Sequence, residues 1–536
     1  MNKAFAVLLI LAISPLAARA AHTPPPAAQA ALDRAAALDE EKKPEQALAA
    51  FIQAIEIDPD FLAAHDQLIE ASLKWGSAAA QHKDFKPQFD AMEKTIDAKY
   101  KEWQRRFPDS VGIQYGMGAR LSELEDPRAK SYLLKVLVHD PKNAKAYYML
   151  SMDADRWGDK KAANEYMHQA SLLEPQNADY AFYYASSLND IEPSQWAAAS
   201  LDVAKRFPTS GRGAQALFWL AEKTPDDAKR IGYFEQLRSQ FPPEKFPWSA
   251  NGMPALFEAY LRVDPAKAMK LAQEMQGGKG SEEWASRGEL AQTYIQVNQK
   301  VAEGKAADAV ALLDKLSTNP RSGNAAMLVR LKAQVMIQAG QSQGAYASLL
   351  KQQAHWPEDA TRVALESAGK QLNKTADQVH ADLKRALDAD AKVAPPFNLQ
   401  QYGSADAVSL AKLRGKVVLL TFWFPGCGPC RAEFPHFEAV MQRLHNKDVV
   451  YLGINVLRDQ DEYVLPFMAK TQYSFLPLES TRDAKNTTGK ETKDYGVRGE
   501  PANFVIDRKG RIMYRDFKIN DAADEPVLKH MIESAL

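Results

Sequence analysis

The sequence predicts a multidomain chain: an all-α helical solenoid followed by an α/β domain. Three observations carry this. Residues 31–387 are alanine-rich with helical apolar spacing, and one set of small and large apolar positions recurs there every 34 residues. The character changes at 389–396, where Pro395-Pro396 precedes the first strand-like run. From there to residue 536, apolar strand patterns alternate with helical ones.

The first twenty residues read as a cleavable export signal. Lys3 is a short basic region, residues 4–13 are apolar, Pro15 breaks the run, and Ala18-Arg19-Ala20 forms a small-residue cleavage site before Ala21. The run is too short to cross a bilayer of about 30 Å, and no later stretch is long and apolar enough. The expectation is an exported protein that does not span the membrane, in a bacterial periplasm. Residues 21–30, with Pro24-Pro25-Pro26, read as a leader. With 67 Lys+Arg against 68 Asp+Glu, and no basic run of five or more, the chain lacks the excess positive charge that nucleic acid requires.

In the solenoid the set is Ala, a large apolar residue four later, a small or apolar one three further, and Pro about five beyond. Ala47, Phe51, Ala54 and Pro59 fit it. Ala129, Leu133, Val136 and Pro141 fit it again, and Ala163, Met167, Ala170 and Pro175 stand 34 residues later at every position. Ala197, Leu201 and Ala204 continue the series, with Pro208 one place early, and looser copies start at Ala309 and Ala345. The small residue lets two antiparallel helices approach, the large one fills the gap a turn on, and proline ends the second helix. Each pair buries its open face only by stacking on the next. The pattern resembles the tetratricopeptide repeat, whose period is 34 residues. The period fails between Pro59 and Ala129, which implies an insertion. The tyrosine pairs 147–148 and 183–184 read as repeat core.

Residues 388–396 read as a linker and 397–536 as the α/β domain. Val417 to Trp423 form a continuous apolar run, the mark of a buried central strand. Expected next are a helix over 430–444, a strand over 449–454, a helix over 461–471, a hairpin of strands 504–506 and 512–514 turning at 508–510, and a helix over 524–536.

The chain has two cysteines, both in Cys427-Gly428-Pro429-Cys430. None is left over as a structural staple, so the pair is the only redox chemistry available. A two-residue spacer on the first turn of a helix puts both sulfurs within disulfide reach. The free N–H groups and dipole of that helix end favour thiolate at the first sulfur. Cys427 would attack a substrate disulfide and Cys430 would resolve the mixed disulfide.

The segment Phe422-Trp423-Phe424-Pro425-Gly426-Cys427-Gly428-Pro429-Cys430-Arg431-Ala432-Glu433-Phe434-Pro435 resembles the active-site segment of the thioredoxin superfamily, and within it the TlpA/ResA-like thiol:disulfide oxidoreductases. Residues 495–507, Tyr-Gly-Val-Arg-Gly-Glu-Pro-Ala-Asn-Phe-Val-Ile-Asp, are similar to the family segment that carries a cis-proline. The resemblance covers about 394–536. It implies a thioredoxin-like fold, Pro501 as the cis-proline beside the dithiol, and Glu433 as the glutamate near it. Three positions depart from the pattern. Gly426 stands where the family has Trp, and Thr421 where cytoplasmic thioredoxins bury an Asp. Glu500 precedes the proline. If it faces the sulfurs, its charge would raise the pKa of Cys427.

A closed zinc site needs four ligands, and His436 would be a third at most. A peroxidatic cysteine needs Thr three residues earlier, where Phe424 stands. No metal or cofactor is expected. The leading expectation is an exported thiol:disulfide oxidoreductase, reductive in direction as Gly428-Pro429 implies by resemblance. Protein thiols and disulfides would be its substrates, a membrane thiol reductant its donor, and a protein partner would bind the repeats. The competing expectation is a repeat-based scaffold whose thioredoxin-like domain mainly docks partners.

Overall fold

The structure is a computed structural model that describes residues 22–277, 280–316, 325–444, 448–481 and 489–536. The expected export signal lies outside the described residues. The chain divides into two compact units, one formed by residues up to Asp153 with Glu165–Glu174, the other by Ala154–Asn164 with Pro175–Leu536.

The first unit is helical, and its first two helices show how the repeat set works. Pro26–Glu40 buries Ala28, Ala31, Leu32 and Ala35 against Ala47, Ala50, Phe51, Ala54 and Ile55 of Pro44–Ile57. Alanine carries no bulk, so the two backbones approach until Phe51 fills the space between them. The repeat residues Ala129, Leu133 and Val136 are fully buried in Ala129–His139. The insertion expected after Pro59 contains two long helices, Leu62–Gln81 and Lys86–Arg106. Their apolar interior holds one polar ring: His65 meets Tyr100 and Trp103 there, with none exposed by more than 1%.

The second unit carries twelve complete helices between Ala178 and Asp390 among the described residues. The repeat set weakens in the helix Pro193–Arg206, where Ser200, Val203 and Ala204 are buried and Ala197 and Leu201 are only half-buried. It returns in Ala306–Leu313 and Ser342–His355, which bury Ala309 and Leu313, and Ala345 and Leu349.

Among the described residues, the C-terminal α/β domain holds eight short strands: β1 Lys392–Val393, β2 Asn398–Gln400, β3 Ala407–Ser409, β4 Val417–Trp423, β5 Val449–Asn455, β6 Leu476–Glu479, β7 Ala502–Ile506 and β8 Arg511–Phe517. Six form one sheet in the order β1-β8-β7-β4-β5-β6, and β2 pairs with β3 separately. β4 runs parallel to β5 and antiparallel to β7. All seven residues of β4 are buried because helices or loops cover both faces. Val417, Leu419 and Trp423 face the helix Gly428–Leu444 through Phe434, Phe437 and Val440. Val418, Leu420 and Phe422 face the opposite core of Phe397, Leu410, Tyr495 and Phe504. The helix Glu525–Ala535 closes the first face with Val527, Leu528, Met531 and Ile532.

The expected strands, helices and hairpin of this domain are present, with β7 and β8 each longer than the hairpin read from the sequence. Two differences stand out. Residues 388–396, read as a linker, include β1, which pairs with β8, and Ala394 N–H donates to the Gly510 carbonyl. The short strands β2, β3 and β6 and the helix Lys490–Tyr495 were not expected.

A dithiol at the head of a helix

β4 ends at Trp423, and the chain turns through Pro425 and Gly426 into the helix Gly428–Leu444. Cys427 and Cys430 are joined as a disulfide, with Cα atoms 5.3 Å apart. The Cys430 N–H donates to Cys427 Sγ at 3.2 Å. That N–H is one of the unpaired donors of a helix N-terminus, which favour negative charge on the sulfur when the bond opens. The cysteines are 3% and 0% exposed, while Gly428 and Pro429 between them are exposed. Gly426, the departure from the family's Trp, has its N–H held by Gln460 Oε1 at 2.6 Å. Gln460 precedes the helix Asp461–Thr471 and was not expected in the site.

The Glu500–Pro501 peptide is cis. The antiparallel register sets Ala502 opposite Phe422, so Pro501 lies level with the end of β4 from which the dithiol turn departs. Glu500 is half-buried, and burial pushes its carboxyl above the usual carboxylate range.

Glu433, three residues after Cys430 in the same helix, is 2% exposed. Burial pushes its carboxyl up to about 7. Two N–H donors oppose that rise. Asn503 Nδ2 donates to Oε2 at 2.8 Å, and the Ile519 N–H donates to Oε1 at 3.1 Å. Asn503 is the register partner of Thr421 across β4 and β7. Where cytoplasmic thioredoxins would have a strand acid, this protein has Thr421, and the buried acid comes from the helix. Asn503 was missed in the sequence. Its signal is one polar residue inside the otherwise apolar strand Ala502–Ile506.

His436, the further ligand a zinc reading would enlist, is tied to Glu525 through Nδ1 at 2.8 Å. Among the described residues no group of three or more His, Cys, Asp or Glu is placed to hold a metal ion. No helix among them is long and apolar enough to cross a membrane.

A mixed sheet with Cys-x-x-Cys at the head of its first crossover helix, and a cis-proline immediately before the neighbouring strand, defines a thioredoxin-fold dithiol domain. A family model described as Redoxin matches residues 388–532. The thiol:disulfide interchange protein HelX of Rhodobacter capsulatus is 33% identical over 125 residues, 23% of this chain and 65% of its own length. The thiol:disulfide interchange protein DsbE of Pseudomonas aeruginosa is 30% identical over 139 residues, 26% of this chain and 70% of its own. A crystal structure of a thiol:disulfide interchange protein DsbE from Chlorobium tepidum is 30% identical and covers 27% of this chain and 96% of its own, with a TM-score of 0.24. Through its C-terminal domain, the chain belongs to the redoxin family. It spans a little under two thirds of the length of the HelX relative.

Proposed function

We propose that this protein is a thiol:disulfide oxidoreductase that reduces protein disulfides, with the helical solenoid binding the partner. The observation that carries the reading is the placement of the chain's only two cysteines, joined to each other at a helix N-terminus whose Cys430 N–H points at Cys427 Sγ. A structural staple would gain nothing from that donor, whereas a leaving or attacking sulfur would.

The chemistry follows in two displacements. In the reduced protein, Cys427 thiolate attacks one sulfur of a substrate disulfide, breaks that S–S bond and releases one substrate thiolate, which takes up a proton. Cys430, deprotonated in turn, attacks Cys427 Sγ and releases the second substrate thiolate. The Cys427–Cys430 bond forms, and two electrons have passed to the substrate. An external thiol donor then restores the dithiol. Pro501 turns the backbone that precedes it, at Glu500, toward the substrate chain beside the sulfurs. Glu433 serves as acid and base for the proton of Cys430, since a carboxyl near neutrality can both give and take it. The relatives called thiol:disulfide interchange proteins support the reaction class. The Ala18-Arg19-Ala20 site after an apolar run supports export, and the 34-residue set supports a tetratricopeptide-type partner surface.

Insulin-disulfide reduction by wild type and Cys427→Ser tests the reading. Wild type is expected to turn over and Cys427→Ser to be inactive; equal rates would overturn it. In Cys430→Ser the second displacement cannot occur, so mixed disulfides with substrate proteins accumulate on Cys427.

A further inference from the structure

The amide of Asn503 is locked in place. Its Nδ2 carries two hydrogens, one given to Glu433 Oε2 at 2.8 Å and the other to the Phe517 carbonyl at 3.0 Å. Turning the amide over would set its oxygen against two acceptors. The side chain is fully buried, and its Oδ1 has no hydrogen-bond partner among the described residues. An unpaired buried acceptor is costly, about 1 to 3 kcal/mol, and a plain apolar residue would avoid it. The strand tolerates this cost at the one position that reaches the Glu433 carboxyl.

We propose that Asn503 is a positioning residue for thiol–disulfide exchange: it holds the carboxyl of Glu433, one turn along the dithiol helix from Cys430, in a fixed orientation inside the core. This rests on the thiol:disulfide reading above. The groups that act on Glu433 divide by direction. Burial favours its neutral form, and the charge of Asp524 adds to that. The Asn503 N–H, the Ile519 N–H and the charge of Lys518 favour the anion. Tyr451, buried on β5, also lies within electrostatic reach. Thr421, opposite Asn503, offers a hydroxyl without charge. The Ile519 donor is backbone and survives any substitution except proline, so Asn503 is the side-chain donor that can be replaced. Removing it leaves one N–H on the carboxyl and raises the pH at which Glu433 ionises.

The test uses the full-length reduced protein. The alkylation rate of Cys427 is measured against pH, and the carboxylic-acid C=O band of Glu433 is followed by infrared difference spectroscopy between about pH 5 and pH 9. Asn503→Leu is expected to move the Glu433 transition to higher pH. It should also slow insulin reduction at pH 7 about 3- to 5-fold, since raising the midpoint by about one unit from about 7 cuts the fraction ionised there roughly fivefold. Asn503→Thr keeps one O–H donor, moves the transition less, and carries the test if the leucine variant fails to fold. Adding either substitution to Glu433→Gln should change nothing further. A Glu433 transition unmoved in both variants, or an equal slowing in the Glu433→Gln background, overturns the proposal. Failure of the underlying reading looks different: Cys427→Ser would then be as active as wild type.

Discussion

His65 in the first unit and Glu433 in the C-terminal domain are buried to almost the same degree, at 0% and 2% exposure. In both, burial favours the neutral form and hydrogen bonds oppose it, which lowers the base and raises the acid. His65 Nε2 donates to the Pro59 carbonyl at 3.0 Å, and the Tyr100 hydroxyl donates to Nδ1 at 2.9 Å. Burial favours the neutral ring and outweighs the Pro59 hydrogen bond and the charges of Asp66, Asp60 and Asp58, which favour the cation, so the imidazole falls to about 4. At Glu433 both hydrogen bonds favour the anion while burial favours the acid, and the opposition leaves the carboxyl at about 7. One group is silent near neutral pH and serves packing. The other is poised to move a proton.

Glu433→Gln gives the largest contrast. It keeps shape and removes the proton, so thiol–disulfide exchange at neutral pH should fall about 100-fold, the low end of what a lost acid–base group costs. A rate within a factor of two of wild type would make Glu433 as silent as His65. His65→Gln or any other change at the imidazole should leave the exchange rate unaltered and lower stability instead. His65→Ala strands the Tyr100 hydroxyl and opens a cavity, at a cost of about 2 to 4 kcal/mol. Gly116 sharpens this. A Cβ there would lie 2.5 Å from both His65 Nδ1 and Tyr100 Oη. Gly116→Ala should therefore destabilise by about 1 to 3 kcal/mol, and by less when combined with His65→Ala, whose truncation makes room. Additive costs in chemical denaturation would show that the two do not share this space.

The two groups also predict opposite pH dependences of stability. His65 has a folded pKa below its unfolded value of 6.5, so the unfolded state binds the extra proton. Stability of the first unit is retained above 6.5 and lost as pH falls from there through about 4. Glu433 has a folded pKa above its unfolded value of 4.5, so the folded state holds the proton more tightly. Its contribution is present below 4.5 and is lost as pH rises through about 7. Hydrogen exchange read separately on the helix Leu62–Gln81 and on β4 should show these opposed trends. His65→Phe should flatten the first, and Glu433→Gln the second.

The same contrast marks what was legible in the sequence. β4 was legible because a buried central strand reads as a nearly unbroken apolar run, interrupted here only by Thr421, and the dithiol because two cysteines stood alone in one motif. Alanines 47 and 129 were legible as packing positions because helix contact demands small residues at a repeated spacing. The polar partners were not. Nothing local says that Asn503 points to Glu433, seventy residues away, or that Tyr100 reaches His65 across the insertion. β1, β2, β3 and β6 escaped for a related reason. They run two to four residues, too short for a periodic signal, and are defined by their pairing, β1 with the distant β8 and β2 with β3.

Glu500 is the finest test of how burial sets a charge in this domain. It directly precedes the cis-proline, and burial raises its carboxyl against a single opposing backbone hydrogen bond. It has one opposing donor where Glu433 has two, but it is only half-buried, so water screens its charge more strongly. An anion there disfavours the Cys427 thiolate, so Glu500→Gln should lower the thiol's pKa and speed its alkylation at neutral pH. The gain should be no more than about threefold, since a half-unit shift corresponds to that factor. The gain should shrink as salt is raised, because an exposed carboxylate is screened and a buried one is not. An unchanged Cys427 titration in Glu500→Gln would place Glu500 outside the reach of the sulfurs and leave Glu433 as the carboxyl that governs the site.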